Sequence, residues 1–382
     1  MGYQEEKELS EQGALEMLAD YDKLEILQKQ YRALPNSPQR AEVIREFIAA
    51  ADRLEEPAEQ LIGRYDLAWT YVFGDDPAKA MPVCAEFMQM QKENQGATGE
   101  GEGAAVVSIA MLASSLARRL PQIPLEQCES LLMEFRRQVR AYGLGERLWQ
   151  CHAGEFSLMT GDLPALEDHL NRFRTAPRDD VSDCEVCEAG AMGEFLIALG
   201  RKDEAIDIAA DLLEKGKFCD QQPWKLLSIL TDHALVRHDL DDAERFATAM
   251  LIQPVDSPAD LRCAGTLLRM EAAFGAGQDG ITLLEKCLPW TVNLWDQEML
   301  FYFYVGAGLF CDALGNRQSQ VKLSLPDAFP LCQEGGAYDC RALSEWFRGQ
   351  AEDIAQKFDR RNGNSNYKAS LESTWAGDFC QR

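Results

Sequence analysis

From Ala189 to Leu199 the apolar or small residues Ala189, Met192, Gly193, Leu196 and Leu199 recur at three- and four-residue steps, the period of a helix with one buried stripe. The pattern breaks at Gly200-Arg-Lys-Asp and resumes through Ala205, Ile208, Ala209, Leu212 and Leu213 until Gly216 closes it. Asp203 and Glu204 fall in the first turn of that second helix, where carboxylates complement the helix dipole. Similar breaks stand at Gly161, His238, Gly277 and Gly315, at steps of 39, 38, 39 and 38 residues counted through Gly200. Earlier ones fall at Gly74 and in the proline-bearing turns Leu120–Pro124 and Leu34–Pro38. Such regular punctuation predicts an internal repeat of helix pairs. No stretch shows the sustained alternation of a strand, so the expected fold class is all-α.

The turn Gly200…Ala205, the small Gly193, the apolar Leu196 and Gly154 one repeat earlier make residues 14 to 324 resemble the tetratricopeptide repeat. The period here is 38–39 residues, where that family uses about 34. The first-helix tryptophan is usually missing, so HEAT-like and other paired-helix arrays stay open. The resemblance implies a right-handed solenoid of about eight antiparallel helix pairs. It also implies a concave face that binds a protein or peptide without catalysis. Expected boundaries are an acidic arm over 1–13, the repeat array over 14–335 with a flexible insert at 94–104, a capping helix over 336–359 and a polar tail over 360–382. The stripe Leu343, Trp346, Phe347, Ile354, Phe358 suits the capping helix, because Pro326 and Pro330 truncate the second helix of the eighth pair.

Composition narrows the partners. With 38 basic and 63 acidic residues the net charge is −25, which opposes nucleic acid and anionic membrane surfaces. The excess acid fits either a basic partner or plain solubility. The N-terminus carries no apolar run of a leader peptide, and no segment nears the roughly 18 apolar residues of a membrane span. A cytoplasmic protein is therefore expected, its 12 cysteines held as thiols.

Two sets of residues carry candidate chemistry. Cys184-Glu-Val-Cys187 has the spacing of a metal knuckle or redox dithiol. Cys219 lies just before the next repeat, so three thiols converge if adjacent repeats stack; Cys151 or His152 is the nearest fourth ligand by register. Structural zinc, redox work and simple packing all remain open for them. The second set is Glu155, Glu194 and Asp232, each six residues before a turn marker, with Glu271 placed there in a repeat that aligns less well. In the tetratricopeptide arrangement that position faces inward, so these acids form a column for a basic peptide, unless they are ordinary solvated carboxylates. The aromatic cluster Trp290, Trp295, Phe301, Tyr302, Phe303, Tyr304 is expected to be mostly core, with any remainder as binding anchors. The glycine-rich Asn94–Gly103 lacks the lysine and strand of a phosphate loop. The four histidines form no zinc-protease spacing, and there is no nucleophile elbow. A non-catalytic binding scaffold leads this reading; a zinc- or thiol-dependent protein and a peptide-sensing regulator are the alternatives.

Overall fold

Residues 21–74 and 77–376 are described by the computed structural model. The expected arm over 1–13 and the end of the expected tail, 377–382, lie outside them. Helices dominate, and those adjacent in sequence pack on one another. The described residues form two units, one built from those up to Arg118 with Glu126–Trp149 and Arg178–Val181, the other from the rest of the described residues.

In the first unit, α1 runs through 21–32, α2 is Pro38–Leu54, α3 Pro57–Val72, α4 Ala80–Glu93, α5 Glu102–Arg118 and α6 Leu125–Tyr142. Ser37 starts α2 by accepting the Arg40 N–H at 3.2 Å, with Pro38 at the first helical position. Gly63 on α3 leaves room for the Phe47 ring and the Ile48 side chain of α2, the close approach that a Cβ would block. The insert 94–104 is not simply loose. After a turn it forms a short 3-10 segment at Gly99–Gly101, and α5 begins inside it at Glu102. The buried Glu102 carboxylate takes the Gly96 N–H at 2.6 Å, the Gln91 amide at 3.2 Å and the Tyr142 hydroxyl at 3.0 Å. One anchored carboxylate thus organises the glycine-rich stretch.

The second unit holds most of α7 Glu146–Thr160, then α8 Leu163–Thr175, α9 Glu185–Ala198, α10 Lys202–Glu214, α11 Trp224–Val236 and α12 Leu240–Met250. α13 Leu261–Phe274, α14 Gln278–Thr291 and α15 Gln297–Gly315 follow. Asp162, Asp239 and Asp296 cap α8, α12 and α15 by accepting backbone N–H groups. The turns repeat one geometry. Gly161, Gly200, His238 and Gly275 have positive φ, and the next residue donates five positions back, from Asp162 to Ser157, Arg201 to Leu196, Asp239 to Ala234 and Ala276 to Glu271. Only His238 among the four departs from glycine.

First helices of successive pairs also touch directly, α9 with α11, α11 with α13 and α13 with α15. Small residues make this possible. Phe195 fits over Gly154, Leu226 over Gly193, and the buried Ser228 and Thr266 hydroxyls, 38 residues apart, meet at 2.9 Å. At the α13–α15 crossing, Gly265 and Gly306 bring backbone against backbone.

Two features depart from expectation. A short antiparallel hairpin, β1 Gln320–Lys322 with β2 Ala337–Asp339, occupies the place of the truncated helix, Val321 opposite Tyr338. Three-residue strands are too short to show alternation. Beyond them α16 runs from Cys340 to Asn362, past the expected limit of 359, and α17 spans Asn366–Ala376 within the expected tail. The polar run at Arg360 hid this helix, which buries only Leu371 and Thr374 and adds a few aromatic contacts. Tyr367 stacks on Phe358 with centroids 4.6 Å apart and meets Phe301 edge-on at 5.1 Å, while Trp375 covers Gly308. The same end of the chain reaches back to α7: Asn362 and Asn364 donate to the Met159 carbonyl at 3.4 and 3.1 Å, and Arg361 donates to the Leu120 carbonyl at 3.2 Å.

Candidate functional site

The four predicted carboxylates all have partners within the chain. Glu155 meets His152 Nδ1 at 3.1 Å, Glu194 meets Lys225 Nζ at 2.7 Å and Asp232 meets Arg269 Nη1 at 2.5 Å. Glu271 is out of register and accepts the Gly277 N–H at 3.2 Å. The reason lies in the turn: the positive-φ residue equivalent to Gly161, Gly200 and His238 is Gly275, not Gly277. Six residues before Gly275 stands Arg269, so the fourth place in the column carries a cation that neutralises the third.

Around this column lies a group of charges of both signs. Lys225 and Arg262 each stand 13 residues before their turn residue, His238 and Gly275, whereas the same place before Gly161 and Gly200 holds Leu148 and Cys187. Glu298 and Tyr302 come from α15 and Tyr367 from α17. The Tyr367 hydroxyl donates to Glu298 at 3.0 Å, and the Arg262 guanidinium lies 3.6 Å from the Tyr302 ring centroid. Burial opposes the Lys225 ammonium, yet Glu194 and Glu155 raise its pKa above the ordinary value. Burial likewise opposes charge on Arg262, and Tyr302, Glu194, Asp232 and Glu298 outweigh it. For Glu298, burial favours the neutral acid, but Lys225, Arg262 and Arg119 hold its carboxyl below the usual range. Protein surrounds these groups closely enough for burial to be the largest influence on each. Water nevertheless reaches them: the Lys225 side chain is 39% exposed and Glu194 is 19% exposed. A polar recess reconciles the two facts. The guanidinium of the buried Arg269 keeps two nitrogens, and Arg262 keeps Nε, without a hydrogen-bond acceptor among the described residues.

The Glu298 shift predicts a pH effect. A carboxyl whose folded pKa is depressed adds stability that is complete above its ordinary value of 4.5 and disappears as the pH falls through the folded value. Urea midpoints measured against pH should therefore fall less steeply below about pH 4.5 in Glu298→Gln than in the parent chain.

Of the six aromatic residues singled out by sequence, Phe301, Phe303 and Tyr304 are core. Trp290 and Tyr302 are half-buried, and Trp295 lies under the Arg119 guanidinium at 4.9 Å.

The cysteines do converge. The sulfurs of Cys184, Cys187 and Cys219 all lie within 4.8 Å of one another. Cys184 caps α9, accepting the Cys187 N–H at 3.3 Å, and Cys187 Sγ is 3.5 Å from Cys219 Sγ. Burial pushes the Cys187 thiol up, and its two neighbours push it further. That is the reverse of the lowered pKa a nucleophilic thiol needs. Neither expected fourth ligand joins them: Cys151 is packed in the core with Leu166 and Phe195, and His152 faces Glu155. No protein-family model, curated protein or solved structure matches the chain.

Proposed function

We propose that this chain is a tetratricopeptide-like right-handed superhelix of about eight helix pairs that binds a short ligand without catalysing its conversion. The ligand carries both an ammonium and a carboxylate, as a short peptide with both ends free does. One observation carries the reading: Glu194, Lys225, Arg262 and Glu298, from four successive first helices, act on one another in a recess that water still enters. The cations suit a carboxylate, and the acids suit an ammonium. A long basic segment is less well served, because each acid of the predicted column already has a partner. No helix among the described residues is long and apolar enough to cross a membrane.

Peptide libraries of matched sequence test this, with ends free, acetylated or amidated, read by thermal shift of the full chain. Stabilisation by free-ended peptides that blocking either end removes is the expected result. Equal stabilisation by blocked peptides, or by long polybasic ones alone, would overturn the reading.

A further inference from the structure

We infer that Cys184, Cys187 and Cys219 form a zinc site that ties the start of α9 to the α10–α11 loop, separate from the polar recess. Tetrahedral zinc with sulfur at about 2.3 Å sets its ligands about 3.8 Å apart. The three sulfurs lie within 4.8 Å of one another, with one pair at 3.5 Å, so side-chain rotation alone brings them to that spacing.

The arrangement is held from both sides by contacts that do not involve sulfur. The Cys219 N–H donates to the Gln222 carbonyl at 2.9 Å, closing the loop on itself. The buried Gln222 side chain then sits where a Cβ on Gly190 of α9 would stand, and its amide oxygen takes the Leu226 N–H at 3.2 Å. Lys217, two residues before Cys219, pairs with Glu185 of α9 at 2.8 Å. The loop is thus keyed onto α9 at Gly190 and at Glu185, and the thiols meet because the backbone puts them there.

Chemistry selects the ion. All three ligands are thiols, with no carboxylate or imidazole joining them among the described residues, which favours a thiophilic divalent ion over calcium or magnesium. Cys184 is exposed, so an ion can enter and the fourth position opens to water or an outside ligand. Binding replaces thiol protons by metal, up to three released per zinc, with no change of oxidation state. The buried Cys84 belongs to no such group of three ligands among the described residues and serves as packing.

Cobalt titration of the reduced full-length chain tests the site, with zinc as competitor. One cobalt per chain, an intense sulfur-to-cobalt absorption and its loss on adding one equivalent of zinc are expected. Cys219→Ser should weaken binding by at least about tenfold, while Cys263→Ser on α13 leaves it unchanged. Zinc should also raise the melting temperature of the parent chain and not that of a Cys187→Ser/Cys219→Ser chain. No sulfur-to-cobalt band, a band that survives Cys219→Ser unchanged, or a Cys187–Cys219 disulfide in place of metal in protein prepared without oxidant would each overturn the assignment.

Discussion

Replacing Gly306 by alanine should cost about 3 kcal/mol or more, enough to leave much of the second unit unfolded at ordinary temperature. A Cβ at that position would stand 2.0 Å from the Gly265 carbonyl oxygen, and one at Gly265 would stand 2.4 Å from the Tyr302 carbonyl. The obstruction is backbone in both directions, so no rotamer change relieves it. Helices α13 and α15 would have to separate, taking apart the core around Phe301, Phe303 and Phe310. Gly349 on α16 is the control: nothing lies within 4 Å of its absent Cβ. Gly349→Ala should be neutral or stabilising by about 0.5–1 kcal/mol, since alanine is the better helix former. Chemical denaturation of the two variants side by side separates a packing effect from the general effect of losing a glycine.

Replacing Arg269 by methionine should cost about 3–5 kcal/mol, because it strands Asp232. The two side chains are 6% and 17% exposed, and their ion pair is the contact that neutralises them. Removing both charges, in Arg269→Met/Asp232→Leu, should recover most of the loss, since a buried ion pair replaced by apolar groups of like volume is often neutral or better. The exposed Lys215–Asp211 pair, 55% and 54% exposed, provides the contrast. Lys215→Met there should change stability by no more than about 0.5 kcal/mol. A double variant as unstable as the single one would mean that Arg269 contributes through packing of its stem instead of its charge.

The helical architecture was legible because it is written many times over. Four successive turns, at Gly161, Gly200, His238 and Gly275, place a residue at positive φ, and first helices there carry small residues such as Gly154 and Gly193 where the next one approaches, so across them the pattern recurs near every thirty-eighth residue. The convergence of Cys184, Cys187 and Cys219 followed from the same register. Register also set the limit. Gly277 has the residue type of a turn, but the left-handed conformation falls on Gly275, and that two-residue slip exchanges Glu271 for Arg269 and changes a column of four acids into three acids and a cation. Charge pairing across repeats, such as Glu194 with Lys225, depends on three-dimensional neighbours that periodicity alone does not supply. The hairpin of β1 and β2 and the helix α17 were missed for another reason. Each is short: the hairpin rests on three paired residues, and α17 docks through single contacts such as Tyr367 on Phe301, which leave no periodic trace.

The proposed binding centres on the shared recess at Lys225. Calorimetric titration of a free-ended peptide into the parent chain and into Lys225→Met reads it directly. The expected outcome is saturable one-to-one binding by the parent and affinity at least about tenfold weaker in the variant, the loss of one charge-assisted contact, with both chains melting within a few degrees of each other. Equal affinity in the two chains, or no binding by the parent, would contradict it.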